Sequence, residues 1–107
     1  MTTFNDRERA EEAKFARDED THFRLIARRN RLFGEWAAQR MGLSSAESEA
    51  YAKSVVQADF EEAGDEDVIR KVLGDLIAAG QESSDGEVRA ALEAKLIEAR
   101  RALLGEA

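Results

Sequence analysis

The chain has 107 residues, with 16 lysines and arginines against 23 aspartates and glutamates, and it has no cysteine and no proline. This length predicts one domain, and the lack of cysteine excludes a disulfide framework, a cysteine zinc site and thiol catalysis. The net charge of −7 argues against binding to nucleic acid or to an anionic membrane. The N-terminus lacks the apolar core of a signal peptide, and no stretch is apolar enough to insert into a membrane. We therefore expect a cytoplasmic protein.

Glycines and serines mark the ends of four predicted helices, at about 5–41, 45–62, 66–79 and 85–104. Ser44 and Glu47 fit a capping box at the start of the second helix, as Ser84 and Glu87 do at the start of the fourth. Glycines follow the helices at Gly42, Gly64, Gly80 and Gly105. The short links between the helices predict an all-α four-helix bundle with a long first helix.

Apolar residues recur at helical spacing in this pattern. In the fourth helix they form one stripe that includes Val88, Leu92 and Ala99. In the first helix the apolar arc, from Phe23 to Met41, spans roughly 200° of the circumference, so we place this helix at the centre of the bundle. On the second helix Val56 and Phe60 form an apolar patch suited to a further contact, such as a second copy.

The first twenty residues differ from the rest, because between Met1 and Asp20 only Phe4 and Phe15 are both large and apolar among many charges. With no continuous apolar stripe to dock it, this segment is predicted to be a mobile arm that becomes helical on a partner. A solvated, fraying extension of the first helix is the alternative interpretation. We accordingly divide the chain into an arm, residues 1–20, and a bundle, residues 21–107.

Charge is segregated in the bundle, since arginines dominate residues 24–40 and acids dominate residues 59–67. The simpler interpretation is that the two blocks face each other. Alternatively, Arg28, Arg29 and Arg31 are weak candidates for contacting the phosphates of a nucleotide, although no glycine-rich loop accompanies them.

Catalytic and metal sites are not predicted. Glu19 and His22 match half of a di-iron motif, but this is the only histidine and that site needs a second one. Residues 65–67 look like the start of a calcium loop, but Arg70 stands where such a loop needs glycine. With no nucleophile set or phosphate loop either, we expect a regulatory or interaction protein, not an enzyme, and no resident cofactor.

From Thr2 to about Gly80, the chain contains a series of short sequences that closely resembles the pattern of one family. That family is the zeta subunit, the ATPase inhibitor of the F-type ATP synthase in alphaproteobacteria. Each sequence is trivial alone, but the set is specific: Ala27-Arg28-Arg29-Asn30, Trp36-Ala37-Ala38, Ala50-Tyr51-Ala52, Ala58-Asp59-Phe60-Glu61 and Gly64-Asp65-Glu66-Asp67-Val68.

The resemblance implies a four-helix inhibitor whose N-terminal segment inserts at a catalytic interface of the synthase head and wedges against the central stalk. Its partners would be the catalytic head and central stalk, on the cytoplasmic face of the inner membrane. The inhibitory segment maps to Thr3 through about Arg17. Partner-binding candidates carried over from the family are Phe4, Asn5, Asp6, Arg7, Glu8, Arg9, Glu11, Lys14 and Phe15.

Two departures from the family pattern bear on inhibitory strength. Glu11 stands where the family commonly has phenylalanine, and Asn5 where it has an acid. Losing one apolar anchor of an inserted helix weakens binding by roughly 1–3 kcal/mol. Two other hypotheses stay open: a helical adaptor that does not need the arm, and a regulator that binds ATP or ADP weakly without hydrolysing it.

Overall fold

A computed structural model describes the backbone of residues 3–61, 64–103 and 105, and the side chains of residues 18–59, 64–103 and 105. Helix α1 is Thr3–Arg40, α2 is Ser45–Glu61, α3 is Asp65–Ala78 and α4 is Asp85–Leu103. No strand occurs among the described residues. The all-α prediction with a long first helix is confirmed, and every predicted helix end lies within two residues of the observed one.

The helix ends use the signals that predicted them. Gly42 has φ 73°, and the amide of Leu43 donates to the carbonyl of Ala38 at 3.0 Å, which closes α1 with a left-handed cap. At the start of α2 the capping box is complete. The amide of Glu47 donates to Ser44 Oγ at 3.2 Å, and the amide of Ser44 donates to Glu47 Oε1 at 2.9 Å.

Before α4 only half of the predicted capping box forms. The amide of Glu87 donates to Ser84 Oγ at 3.1 Å, but the Glu87 carboxylate lies against Arg40 of α1, at 3.5 Å. The spacing of the sequence predicts that the Glu87 side chain caps its own helix, α4. In the structure this carboxylate instead links α4 to α1. This contact brings the start of α4 next to the end of α1.

The length of α1 shapes the molecule. Its 38 residues span about 57 Å, whereas the 14 to 19 residues of the other helices span about 21–29 Å. The extents of the chain are 66 × 30 × 25 Å. Because the shorter helices cannot cover α1 over its whole length, its N-terminal part projects from the bundle.

The other end of α1 lies at the centre of the bundle, as predicted, and contacts all three other helices, most extensively α2. Every helix contributes fully buried apolar side chains: Phe33 and Ala37 from α1, Val55 from α2, Val68, Val72 and Leu76 from α3, and Val88 and Ala99 from α4. Val56 of the predicted apolar patch is half-buried, and the side chain of Phe60 lies outside the described residues.

Two residues of the predicted apolar faces are more than half exposed. Phe23 is 53% exposed near the point where α1 leaves the bundle. Ile77 is 58% exposed in the last turn of α3, so the apolar face of that helix is narrower than the sequence pattern indicates.

Candidate functional site

The predicted partner-binding residues all lie in the first half of α1. The backbone of residues 3–17 is helical and continuous with the rest of α1, while their side chains lie outside the described residues. The mobility predicted for this arm stays a prediction. From Asp18 to Arg24 every described side chain is exposed, and burial begins at Leu25. The candidate segment therefore leads directly into an exposed stretch of helix before α1 enters the bundle.

A buried polar pair holds α1 where it enters the bundle. Arg29 is 3% exposed and Asn30 is 1% exposed, in a core that is otherwise apolar. The Arg29 guanidinium donates to Asn30 Oδ1 from Nε at 3.0 Å and from Nη2 at 2.9 Å. Its Nη2 also donates to Asp65 Oδ1 at 2.9 Å. Since a buried guanidinium without a carboxylate is costly, this contact fixes α1 against the start of α3.

This ion pair bears on the segregation of charge in the sequence. Arg29 of the basic block and Asp65 of the acidic block do face each other across the bundle. The neighbouring arginines instead pair locally along α1, Arg24 with Asp20 at 3.1 Å and Arg31 with Glu35 at 3.3 Å. The simpler interpretation of the two blocks is therefore confirmed at one pair.

The three nucleotide candidates do not lie together. Arg29 is buried and committed to α3, whereas Arg28 and Arg31 are exposed. Those two line a shallow hollow between α1 and α2 together with Lys53. Weak nucleotide binding stays a prediction that involves Arg28 and Arg31, because the Arg29 guanidinium is already satisfied by two partners.

An aromatic pair supports the C-terminal half of α1. The rings of Phe33 and Trp36 are stacked, with centroids 5.8 Å apart, and the Arg40 guanidinium lies 4.8 Å from the centroid of the indole ring. Stacked rings and a cation over an indole each add about 0.5–1.5 kcal/mol to area burial. These contacts therefore fix the C-terminal half of α1 in the bundle, and the N-terminal half projects from it.

Polar contacts also fasten α2 to α3. The Tyr51 hydroxyl donates to Asp75 Oδ2 at 2.8 Å, and Lys71 Nζ donates to the same oxygen at 3.1 Å. Burial, followed by the hydrogen bond and charge of Asp75, raises the pKa of Tyr51 far above its ordinary value. Tyr51 is therefore a neutral donor at every physiological pH.

A second group of charges fastens α3 to α4. The Arg89 guanidinium donates to both carboxylate oxygens of Glu66, at 2.9 and 2.7 Å, and to Asp85 at 2.6 Å. The hydrogen bonds from Arg89 hold the pKa of the Glu66 carboxyl below its ordinary range. Because this ion pair is exposed, it helps to set the position of α3 relative to α4 more than it adds to the free energy of unfolding.

The half di-iron motif and the partial calcium loop of the sequence are not completed by further ligands among the described residues. Glu19 and His22 lie one turn apart on the exposed part of α1, and the described part of the chain brings no third metal-ligating side chain to them. Residues 65–67 form the first turn of α3 and do not form a loop. In the described ranges no helix is long and apolar enough to cross a membrane.

The sequence interpretation missed the buried role of Asn30 and of Arg29. The signal was present, because Asn30 lies three and seven residues before Phe33 and Ala37, on the same helical face. The sequence also did not predict that α1 and α2 approach closely at Gly34, where an added Cβ atom would lie 2.7 Å from Ala52 Cα. An isolated glycine inside a helical pattern usually has such a packing reason.

Comparison with known proteins agrees with this architecture. A family model described as ATPase inhibitor subunit zeta matches residues 1–102. A solution NMR structure is similar with a TM-score of 0.69 and 49% sequence identity, over 79% of this chain and 96% of the other. No curated protein matches the chain. Since the family model extends over both the projecting half of α1 and the bundle, the chain belongs to the family of ATPase inhibitor zeta subunits.

Proposed function

We propose that this chain inhibits ATP hydrolysis by the F-type ATP synthase through its arm, residues 1–20, which includes the N-terminal half of α1 from Thr3 onward. This half enters a catalytic interface of the head and rests against the central stalk, while the bundle stays outside. The observation that carries the proposal is the match to the inhibitor family, which includes the projecting half of α1 as well as the bundle.

The shape of α1 supports this mechanism. A helix that extends beyond its neighbours can enter a groove that is too narrow for the bundle, since a helix with side chains is about 10–12 Å across. The bundle measures about 25–30 Å in its two shorter directions. It therefore limits how far the helix enters.

Anchoring at Arg29 and Phe33 makes the inserted part resist rotation. The stalk rotates inside the head, so the inserted segment must resist being carried round with it. A continuous helix that is fixed in the packed core of the bundle resists this rotation, whereas a segment joined to the bundle by a flexible linker would move with the stalk. The described contacts of residues 29–40 supply this fixed end.

The test compares the full chain with a chain lacking residues 1–17, on ATP hydrolysis by the isolated head of its cognate synthase. We expect the full chain to inhibit and the shortened chain to lose inhibition. The shortened chain keeps every described buried side chain, so its thermal unfolding should stay cooperative. A full-length chain with residues 1–17 in permuted order is the matched control for length and charge, and it should also fail to inhibit.

Equal inhibition by the full and shortened chains would contradict the proposal and favour an adaptor that acts through its bundle. Inhibition by the permuted chain would show that composition, and not the order of residues in this segment, is what the synthase recognises.

A further inference from the structure

An apolar hollow lies where α1 leaves the bundle, between α1 and the last turns of α2. Its floor is formed by Phe23, Ile26 and Val56, and three acids surround it, Asp18, Glu19 and Asp59. Ile26 and Val56 are half-buried, and Phe23 is 53% exposed. A concave apolar surface with a charged rim is typical of a site for another protein segment.

The rim of this hollow has one sign of charge. No lysine or arginine lines it among the described residues, and the nearby Arg24 is paired with Asp20 at 3.1 Å. In the part of the chain that the structure describes, Asp18, Glu19 and Asp59 form no ion pair. A segment bearing lysine or arginine would therefore gain charge pairs here that the chain does not itself provide.

A buried amide gives the hollow a second, independent feature. Asn30 lines it and is 1% exposed, and its Oδ1 accepts both hydrogen bonds from Arg29. Its Nδ2 is buried and donates to no partner within the described ranges. Because an unpaired buried donor is costly, a bound segment that offers a backbone carbonyl would stabilise Asn30 once its side chain turns toward the hollow, since the Nδ2 atom itself has almost no exposed surface.

The hollow also adjoins the segment assigned to inhibition. Asp18 and Glu19 continue the same helix that carries residues 3–17, so a protein that binds that segment lies next to the hollow. Binding of residues 3–17 would therefore strengthen binding in the hollow, because it keeps the partner at a high effective concentration there.

We propose that this hollow docks a basic, apolar segment of the ATP synthase, with lysine or arginine facing Asp59 and Glu19 and an aliphatic side chain on Ile26 and Val56. The proposal rests on the proposed function for its partner, and it adds a second contact that governs affinity, separate from the segment that blocks turnover. It assigns Asp59, on α2, to recognition although it lies outside α1.

The experiment uses full-length chains and the isolated synthase head, and it separates the concentration for half-maximal inhibition from the maximal inhibition. Asp59→Lys reverses the rim charge in the last turn of α2, where a cation suits the helix dipole, so folding is preserved. We expect this variant to need about fivefold more protein for half-maximal inhibition, with maximal inhibition unchanged. Asp59→Glu should behave like the unmodified chain.

Glu82→Lys is the matched control, because it makes the same change in net charge at an exposed residue between α3 and α4. It should shift the half-inhibitory concentration less than twofold. Raising the ionic strength should narrow the gap between Asp59→Lys and the unmodified chain, since screening weakens exposed charge pairs. Equal shifts for the two lysine variants would overturn the proposal, because net charge alone would then explain them.

Amide hydrogen exchange on the complex gives a readout that does not depend on inhibition. Protection of residues 23–30 and 56–59 on binding supports the docked segment, even if the bound chain fails to inhibit and the proposed function falls. Inhibition without protection there overturns the docking proposal alone. Sedimentation of the free chain completes the test, because self-association that Asp59→Lys abolishes would assign the hollow to a second copy and overturn the proposal.

Discussion

Tyr51 shows how a single residue joins elements in this protein. It is the only tyrosine of the chain, it is half-buried, and its hydroxyl donates to Asp75 while Lys71 shares the same carboxylate oxygen. The Lys71 ammonium also lies 5.3 Å from the centroid of the phenol ring. One carboxylate on α3 is therefore held by a donor from its own helix and by another from α2.

The single tyrosine makes its ionisation directly measurable. The raised pKa means that the folded chain keeps the phenolic proton, whereas the unfolded chain releases it near the ordinary value of 10.0. Stability from this contact is therefore complete below pH 10.0 and declines as the pH rises above it. We expect tyrosinate absorbance to appear only together with unfolding, followed in parallel by circular dichroism.

Asp75→Asn is the control for that titration, since it removes the charge but keeps an acceptor for the hydroxyl. Its tyrosine should ionise at a lower pH than in the unmodified chain. A titration near pH 10.0 with the helices of the unmodified chain intact would contradict the assigned role of Asp75.

At the scale of elements, Gly34 permits a close approach of α1 to α2. A Cβ atom built at Gly34 would lie 2.7 Å from Ala52 Cα and 3.2 Å from Val55 Cγ2. Only a residue without a side chain lets the two backbones come this close. Gly74 in α3 is the opposite case, because nothing lies within 4 Å of a Cβ atom built there.

The two glycines predict opposite effects of the same substitution. Gly34→Ala should lower the free energy of unfolding by about 1–3 kcal/mol, because a backbone atom of α2 must move. Gly74→Ala should raise it by about 0.5–1 kcal/mol, since the helix gains propensity without a clash. Urea denaturation of both variants measures the difference. Stabilisation by Gly34→Ala would mean that the helices separate more easily than their contact indicates.

At the scale of the whole molecule, α1 is a rod that is fixed at one end. Its exposed stretch, residues 18–24, joins a segment outside the bundle to a core held by Arg29 and Phe33. If inhibition requires rigidity between these parts, the stretch must stay helical although all of its side chains are exposed. Its stability there depends on helix propensity and on pairs such as Asp20 with Arg24.

A proline in this stretch tests the requirement for rigidity. His22→Pro breaks the helix at an exposed residue, and proline suits the first turn of the helix that remains. The bundle should lose less than about 1 kcal/mol in unfolding free energy, while inhibition weakens by up to about a hundredfold through the ~3 kcal/mol cost of a continuous helix. His22→Ala controls for the side chain. Full inhibition by the proline variant would show that the two halves act without rigid coupling.

The sequence predicted the helices well because their signals are local. Glycine caps, capping boxes and apolar spacing each act within a few residues, and they placed every helix end within two residues. What the sequence could not reveal depends on neighbours distant in the chain. Arg29 is buried because Asp65 lies beside it, and Glu87 serves α1 as well as its own helix, and neither fact follows from local pattern.

The candidate site was predictable to a lesser degree. Resemblance to a family assigned the segment from Phe4 to Phe15, whereas the residues alone indicate only that this segment lacks a continuous apolar stripe. The hollow at Ile26 and Asp59 joins residues more than thirty positions apart, so it emerges only when α2 folds back along α1.

The projection of α1 also governs how the free protein moves through solution. The radius of gyration is 17.5 Å, whereas a compact domain of this length has about 13 Å. Such a rod-like particle experiences more friction than a sphere of equal mass and tumbles anisotropically. We therefore expect a monomer of this shape to elute early in gel filtration, so that an apparent mass taken from globular standards exceeds the mass of one chain.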